Sequence, residues 1–191
     1  METTRPSLLL RIRDRSDAAA WAEFDSIYRP MLSRIAAARG LDPATADDIV
    51  QECMAAVHRH IGGFQYDPER GRFKGWLRTL VNNRFRNLLR DKHDYLAESE
   101  DFKRPQEREQ SPEDLFDQMW REEHLKHCLR QIRDEVEDST FRAFVAYVIE
   151  EQSVESVCEE LRMSPNQVHA IKSRLTRRLH ARMTELMGDD E

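Results

Sequence analysis

The sequence has few of the residues on which disulfide-bonded, turn-rich or membrane-spanning folds depend. Three cysteines among 191 residues, Cys53, Cys128 and Cys158, are odd in number and far apart, which argues against a disulfide framework. Six glycines and seven prolines leave little material for a β fold with many turns. No apolar run approaches the roughly 20 residues that a membrane-spanning helix needs. We therefore expect a cytoplasmic protein without a membrane segment.

Sequence patterns typical of catalytic and cofactor sites are also missing. The chain has no glycine-rich phosphate loop, no HExxH zinc motif and no ordering of Ser, His and Asp that indicates nucleophilic catalysis. His124, His127 and Cys128 lie at helical spacing, but a structural zinc site needs four ligands and no fourth is evident. The sequence predicts a protein that is not an enzyme and that holds no metal and no cofactor.

Charge is distributed unevenly along the chain. The total of 36 acidic and 30 basic residues gives a net charge of −6. Residues 70–92 nevertheless contain eight basic residues and one acidic, residues 94–123 contain eleven acidic and four basic, and residues 161–184 contain no acidic residue. Two cationic segments therefore flank an acidic spacer, which favours binding to a polyanion at two separate places.

Helical spacing of apolar residues organises the chain into two groups of helices. The first group is predicted at 16–40, 42–62 and 73–88, with a loop at 63–71. The second group is predicted at 113–133, 140–150, 153–161 and from 164 onward. Polar residues and two prolines dominate 97–112. We expect an all-α fold of two small helical bundles, 1–96 and 113–191, joined by a flexible acidic linker at 97–112.

The last two predicted helices have the sequence pattern of a helix-turn-helix. A short helix ends near Leu161, a turn follows, and Ser164 and Gln167 can form a capping box with Pro165 at the first helical position. In such motifs the amino end of the second helix meets base edges in the major groove. A solvated basic helix is the alternative interpretation.

Several motifs carry a resemblance to a known family. Segments 46–52 (ADDIVQE), 71–78 (GRFKGWLR) and 83–90 (NRFRNLLR) resemble the conserved second region of bacterial sigma-70-type sigma factors of the extracytoplasmic-function (ECF) group. The C-terminal part from 152 (QSVESV) is similar to the fourth region of that group, although the turn there usually has Gly where this chain has Arg162. The resemblance implies a sigma factor that binds core RNA polymerase and directs promoter recognition and transcription initiation.

Candidate site residues follow from this resemblance and from the positions of the motifs. The C-terminal helix is expected to bind the minus-35 element, with base readout at its amino end and phosphate contacts beyond. Those candidates are Asn166, Gln167, His169, Ala170, Lys172, Ser173, Arg174, Arg177 and Arg178. The N-terminal domain is expected to bind and help melt the minus-10 element through Phe64, Tyr66, Arg72, Arg78, Asn82, Asn83 and Arg86. A polar face is expected to contact the polymerase: Asp47, Asp48, Gln51 and Glu52.

The implied partners are core RNA polymerase, through its clamp helices and flap, and promoter DNA. An anti-sigma factor is a further candidate partner, and outside the holoenzyme the chain is expected to be a monomer. A stand-alone dimeric helix-turn-helix regulator is the main alternative, and dimerisation on a palindromic site would favour it. A scaffold that binds acidic proteins through its basic faces is a third hypothesis.

Overall fold

A computed structural model describes residues 8–63, 73–96 and 111–187, with backbone alone for 89–96 and 187. The regular structure of these segments is entirely helical, which confirms the predicted all-α class. The helices are α1 (Leu8–Arg11), α2 (Ala18–Ala38), α3 (Pro43–His60), α4 (Phe73–Leu96), α5 (Pro112–Asp134), α6 (Asp138–Phe144), α7 (Val154–Leu161) and α8 (Pro165–Met187). A 3₁₀ turn (Ile61–Gly63) follows α3, and a π-helical segment (Val145–Ile149) follows α6. Within these segments no helix is both long and apolar enough to cross a bilayer.

The chain divides into two compact units, Met1–Glu123 and His124–Glu191, called unit 1 and unit 2 below. This division falls inside α5, whereas the sequence placed the start of the second bundle at 113. The reason is that Phe116 and Trp120 are buried in unit 1, so the first half of α5 completes the first core. Most of the predicted linker, 97–110, lies outside the described residues.

Two aspartates cap α2 and α3 of unit 1. Asp17 caps α2 by accepting a hydrogen bond from the backbone N–H of Ala20 at 2.9 Å. Asp42 caps α3 in the same way from Thr45 at 3.0 Å, with Pro43 in the first turn. Both helices therefore begin at defined residues and pack against each other.

An aromatic cluster forms the centre of unit 1. The rings of Phe24 and Tyr28 on α2 lie 6.0 Å and 5.7 Å from the ring of Phe73 on α4. Trp120 on α5 lies 5.4 Å from Tyr28 and 5.9 Å from Phe116. Such edge-on, tilted and stacked pairs add to the large apolar area that each ring buries. They bind α2, α4 and the first half of α5 into one core.

Unit 2 has a smaller core to which each of its helices contributes. Its fully buried centre includes Ile132 of α5, Phe144 of α6, Val157 of α7, and Val168 and Leu175 of α8. Because α6 and α7 both pack against α8, the helix-turn-helix predicted from the sequence is present as α7, a turn and α8. The core leaves one long side of α8 in solvent.

Residues with left-handed backbone conformations bracket α7. Glu151 has φ 54° before the helix, and Arg162 has φ 53° and ψ 44° after it. Arg162 donates its backbone N–H to the carbonyl of Cys158, and the N–H of Met163 reaches the same carbonyl at 3.2 Å. This geometry is the usual helix ending in which glycine is favoured, because a Cβ is disfavoured there. The turn therefore keeps its shape despite the Arg in place of Gly.

We expect Arg162→Gly to raise the free energy of unfolding by about 0.5–1 kcal/mol, because glycine removes the steric cost of the left-handed conformation at some cost in backbone entropy. Denaturant unfolding of the full chain, followed by circular dichroism, measures this change. Arg162→Ala, which removes the charge but keeps the Cβ, is the control and should give no such gain. An equal gain in both variants would attribute the effect to charge and contradict the backbone argument.

Candidate nucleic-acid interface

The amino end of α8 is fixed by the capping box that the sequence predicted. The Ser164 backbone N–H donates to the side-chain oxygen of Gln167 at 2.8 Å, and the Ser164 hydroxyl donates to the same oxygen at 3.0 Å. In return the Gln167 backbone N–H donates to the Ser164 hydroxyl oxygen at 3.4 Å. These bonds satisfy amide groups that the first turn leaves without helical partners. Gln167 therefore has a structural role in addition to its predicted role in readout.

Burial divides α8 into an inner stripe and an outer face. Val168, Ile171 and Leu175 are buried at intervals of three and four residues. Eight of the nine predicted minus-35 residues are exposed on the rest of the helix: Asn166, Gln167, His169, Ala170, Lys172, Ser173, Arg174 and Arg177. All eight are accessible to a ligand, and Lys172, Arg174 and Arg177 add the positive charge that suits contact with phosphate.

Arg178, the ninth predicted residue, lies on a different side of α8. It is half-buried and forms an ion pair with Glu135, just beyond the end of α5. Arg182, one turn further, also binds Glu135, at 2.6 Å, and its side chain donates to Gln131 at 3.2 Å. The hydrogen bond from Arg182, followed by the nearby positive charges, lowers the pKa of Glu135 below its ordinary value. In this arrangement Arg178 holds α8 to α5 rather than extending into the exposed face.

Tyr147, a residue of the π-helical segment, contacts α8 on the side opposite to Arg178. Its hydroxyl lies 3.4 Å from Nδ1 of His169, and the two rings meet edge to face at 5.6 Å and 71°. The ammonium of Lys172 lies 5.2 Å from the centre of the Tyr147 ring. The sequence interpretation did not include Tyr147. The sequence does contain a signal for it: Tyr147 is an aromatic residue with a polar hydroxyl, and it falls outside the apolar stripe of Phe141, Phe144 and Val148.

The predicted polymerase-binding residues form one exposed strip on α3. Asp47, Asp48, Gln51 and Glu52 are exposed, while Val50 and Cys53 between and beside them are buried. Glu52 lies 3.8 Å from Arg84 of α4, a surface ion pair of small energetic value. The strip is therefore an acidic surface directed away from the core of unit 1.

Some of the predicted minus-10 residues lie on α4, and the others lie outside the described residues. Phe64, Tyr66 and Arg72 lie outside the described residues. On α4, Asn83 and Arg86 are exposed, whereas Arg78 is half-buried and lies 3.7 Å from Asp117 of α5. Arg78 therefore has a counter-ion within unit 1 that the sequence did not reveal.

Asn82, the remaining member of this set, is held by a residue that sequence reasoning missed. The Arg39 guanidinium lies 4.2 Å above the ring of Phe85 and donates to Oδ1 of Asn82 at 2.6 Å. Burial lowers the pKa of Arg39 from its ordinary value. Arginine has only donors, so the amide oxygen of Asn82 must face it, which leaves the amide NH₂ group on the other side.

Cysteine and histidine residues in the described segments show no metal-binding arrangement. Within those segments no group of three or more His, Cys, Asp or Glu side chains is placed to hold a metal ion. Burial raises the pKa of Cys53 to about 12 and that of Cys128 to about 11, so both thiols stay protonated near neutral pH. His124 and His127 are buried beside Cys128 on α5. Cys53 belongs to the interior of unit 1, and His124, His127 and Cys128 are buried residues of α5.

Comparison with known proteins identifies part of this structure. Residues 26–94, which include α3 and most of α4, match the family model described as Sigma-70 region 2. A solved structure described as "1.8 A structure of RsbN-BldN complex" is similar at 17% sequence identity and a TM-score of 0.35, covering 91% of this chain and 97% of that chain. A likeness at that TM-score supports no conclusion about this chain. No curated protein matches the chain.

The acidic strip of α3 and most of the basic helix α4 thus lie within the segment that matches Sigma-70 region 2. The match assigns this segment, residues 26–94 of 191, to the sigma-70 family and leaves the rest of the chain unassigned.

The ion pairs of Glu135 predict a pH dependence of stability. Because its pKa is lowered in the folded state, Glu135 stabilises the fold above its ordinary pKa of 4.5, and this contribution is lost as the pH falls through the lowered value. Glu135→Gln should therefore lower the melting temperature at pH 7 but have little effect at strongly acidic pH. Circular dichroism at a series of pH values measures the difference.

The expected loss for Glu135→Gln is less than about 1 kcal/mol, since the pair is partly exposed. Glu159→Gln, at an exposed position of α7, is the matched control and should change stability little at any pH. A loss for Glu135→Gln that is the same at all pH values would show that the ion pairs do not cause it.

Proposed function

We propose that this chain is an ECF-group sigma factor that binds core RNA polymerase through unit 1 and recognises the two promoter elements with separate surfaces. Unit 1 recognises and helps melt the minus-10 element, and unit 2 recognises the minus-35 element. The observation that carries the proposal is the presence, in one chain, of a Sigma-70 region 2 match and a separate helix-turn-helix with a cationic exposed helix. A stand-alone regulator would not need a segment that matches Sigma-70 region 2.

The exposed face of α8 supports DNA binding by unit 2. Its amino end is fixed by the capping box and carries Asn166, Gln167, His169 and Ala170. Asn can pair with adenine through two hydrogen bonds, and small residues such as Ala fit beside a thymine methyl group, whereas Gln167, whose oxygen is used by the cap, has its NH₂ group left to donate. Lys172, Arg174 and Arg177 follow within three turns and supply charge for the phosphates. Such a division into base readout and phosphate contact is typical of recognition helices.

The acidic strip of α3 supports polymerase binding by unit 1. Asp47, Asp48, Gln51 and Glu52 project from a helix whose opposite side is buried in the core, so a partner can bind them without disturbing the fold. An acidic surface is unsuited to DNA and favours a basic protein partner. We assign this strip to the clamp helices of the polymerase, and we assign the flap to unit 2.

The donors on α4 support strand capture at the minus-10 element. Arg86 and Asn83 are exposed, and Arg39 orients the amide of Asn82 so that its NH₂ group remains available to an acceptor. An unpaired base offers ring nitrogens and carbonyl oxygens as acceptors, and its backbone offers phosphate. Within this proposal the protein acts in the cytoplasm as a monomer outside the holoenzyme, and an anti-sigma factor is a candidate inhibitor.

Run-off transcription with purified core polymerase tests the proposal and the role of α3. We expect promoter-dependent transcripts only when the chain is added. Asp48→Arg should lower the affinity for core polymerase about tenfold or more, because it replaces an attractive charge by a repulsive one at the interface. Its circular dichroism melting curve should match the wild type, since Asp48 is exposed.

Asp134→Arg is the matched control for this experiment, since it makes the same change of charge at an exposed residue of α5. Equal weakening of core binding by both variants would contradict the assignment of α3. Absence of transcripts with the wild-type chain, together with dimeric binding to a palindromic DNA site, would contradict the proposed function and favour the regulator.

Removal of a phosphate contact on α8 should change the salt dependence of promoter binding. Arg177→Gln is expected to flatten the plot of log affinity against log salt concentration by about 0.9, the value for one released counterion. Binding of holoenzyme to promoter DNA at several salt concentrations measures the slope. Arg133→Gln, exposed on α5, is the control, and its slope should equal that of the wild type. An unchanged slope for Arg177→Gln would show that Arg177 does not contact a phosphate.

A further inference from the structure

Tyr147 lies outside the recognition helix yet contacts two residues on its exposed side. His169 is at the amino end of α8, and Lys172 follows one turn later, so both lie at the edge of the outer face nearest to Tyr147. The contacts differ in kind: a polar contact and an edge-to-face ring pair with His169, and a cation over the ring for Lys172. One side chain thus restricts two exposed side chains at once.

The backbone around Tyr147 is well defined. The π-helical segment Val145–Ile149 contains Ala146, which is buried, and it follows Phe144 in the core. Backbone hydrogen bonds close its end: the N–H of Glu150 donates to Val145 at 2.9 Å, and that of Gln152 donates to Ala146 at 3.0 Å. π-helical turns are rare and are frequently found at functional sites. Here the π-helical segment places Tyr147 against α8.

The polar contact has a consequence for the chemistry of His169. When the Tyr147 hydroxyl donates to Nδ1, the neutral imidazole must carry its hydrogen on Nε2. The other nitrogen of this exposed ring is then a hydrogen-bond donor. A donor at this place on a recognition helix suits N7 of a purine or O6 of guanine, both of which are acceptors in the major groove.

We propose that Tyr147 is a positioning residue for promoter readout, which orients His169 as a donor to a purine base and holds Lys172 for an adjacent phosphate. The proposal rests on the proposed function, because it assumes that α8 lies in a major groove. It differs from simple packing, since phenylalanine would fill the same space and keep the ring contacts, but it would lose the hydroxyl that selects the form of the imidazole.

The test uses holoenzyme assembled from the full chain and core polymerase, with a promoter that it transcribes and a set of variants changed at one base pair each across the minus-35 element. Wild type, Tyr147→Phe, His169→Ala and the double variant are compared by the ratio of their affinities for matched and changed promoters. This ratio does not depend on the fraction of active protein. Comparing wild type with His169→Ala locates the base pair that His169 reads.

We expect Tyr147→Phe to reduce discrimination at that base pair about fivefold, the effect of one hydrogen bond, and to leave the other positions unchanged. In the His169→Ala background the same substitution should have no further effect on discrimination, since its action passes through His169. The salt slope should stay at the wild-type value for Tyr147→Phe, which keeps the ring under Lys172. It should fall by up to about 0.9 for Tyr147→Leu, which removes that ring.

Two results would overturn the inference while leaving the proposed function intact. One is an equal loss of affinity for every promoter with Tyr147→Phe, and the other is an undiminished effect of that substitution on discrimination in the absence of His169. Either would show that Tyr147 only packs against α8. Failure of the wild-type holoenzyme to discriminate among promoters changed at the minus-35 element would instead contradict the proposed role of unit 2, and with it this inference.

Discussion

Burial of the apolar stripe of α8 is the constraint on which the interface of unit 2 depends. With Val168, Ile171 and Leu175 fixed in the core, helical geometry decides where every other side chain of α8 lies. One flank of the stripe meets Tyr147 and the other meets Glu135, so the helix is restrained against rotation from both sides. The face between the flanks is the part left for a ligand, and between residues 165 and 184 it carries amide, imidazole and guanidinium groups without any acid.

In unit 1, too, burial of one side of each helix decides which residues face solvent, but the exposed side of α3 is acidic. Because one side of α3 is buried, its acidic strip faces solvent. Because one side of α4 is buried, amide and guanidinium groups lie on its exposed surface. These two surfaces favour different partners, a basic protein for α3 and nucleic acid for α4. A net negative charge is therefore compatible with DNA binding, since what matters is how the cores distribute charge over the helices.

The local features of this structure could be predicted from the sequence, and the long-range ones could not. Helix positions, the caps of α2, α3 and α8, and the exposed face of α8 depend on residues a few positions apart, which periodicity and capping chemistry describe. The pairing of Arg178 with Glu135 and of Arg39 with Asn82 joins residues about forty positions apart. Spacing along a helix carries no information on such contacts, so the sequence alone reveals neither the ion pair of Arg178 nor the role of Arg39.

The sharing of α5 between two cores affects how the protein can be dissected. A fragment ending near residue 96 would lack Phe116 and Trp120, and the aromatic rings of Tyr28 and Phe73 that they cover would face water. Exposed aromatic surface of this kind promotes aggregation. An N-terminal piece intended for biophysical work should therefore extend at least through residue 123, even though the sequence alone suggests an earlier cut.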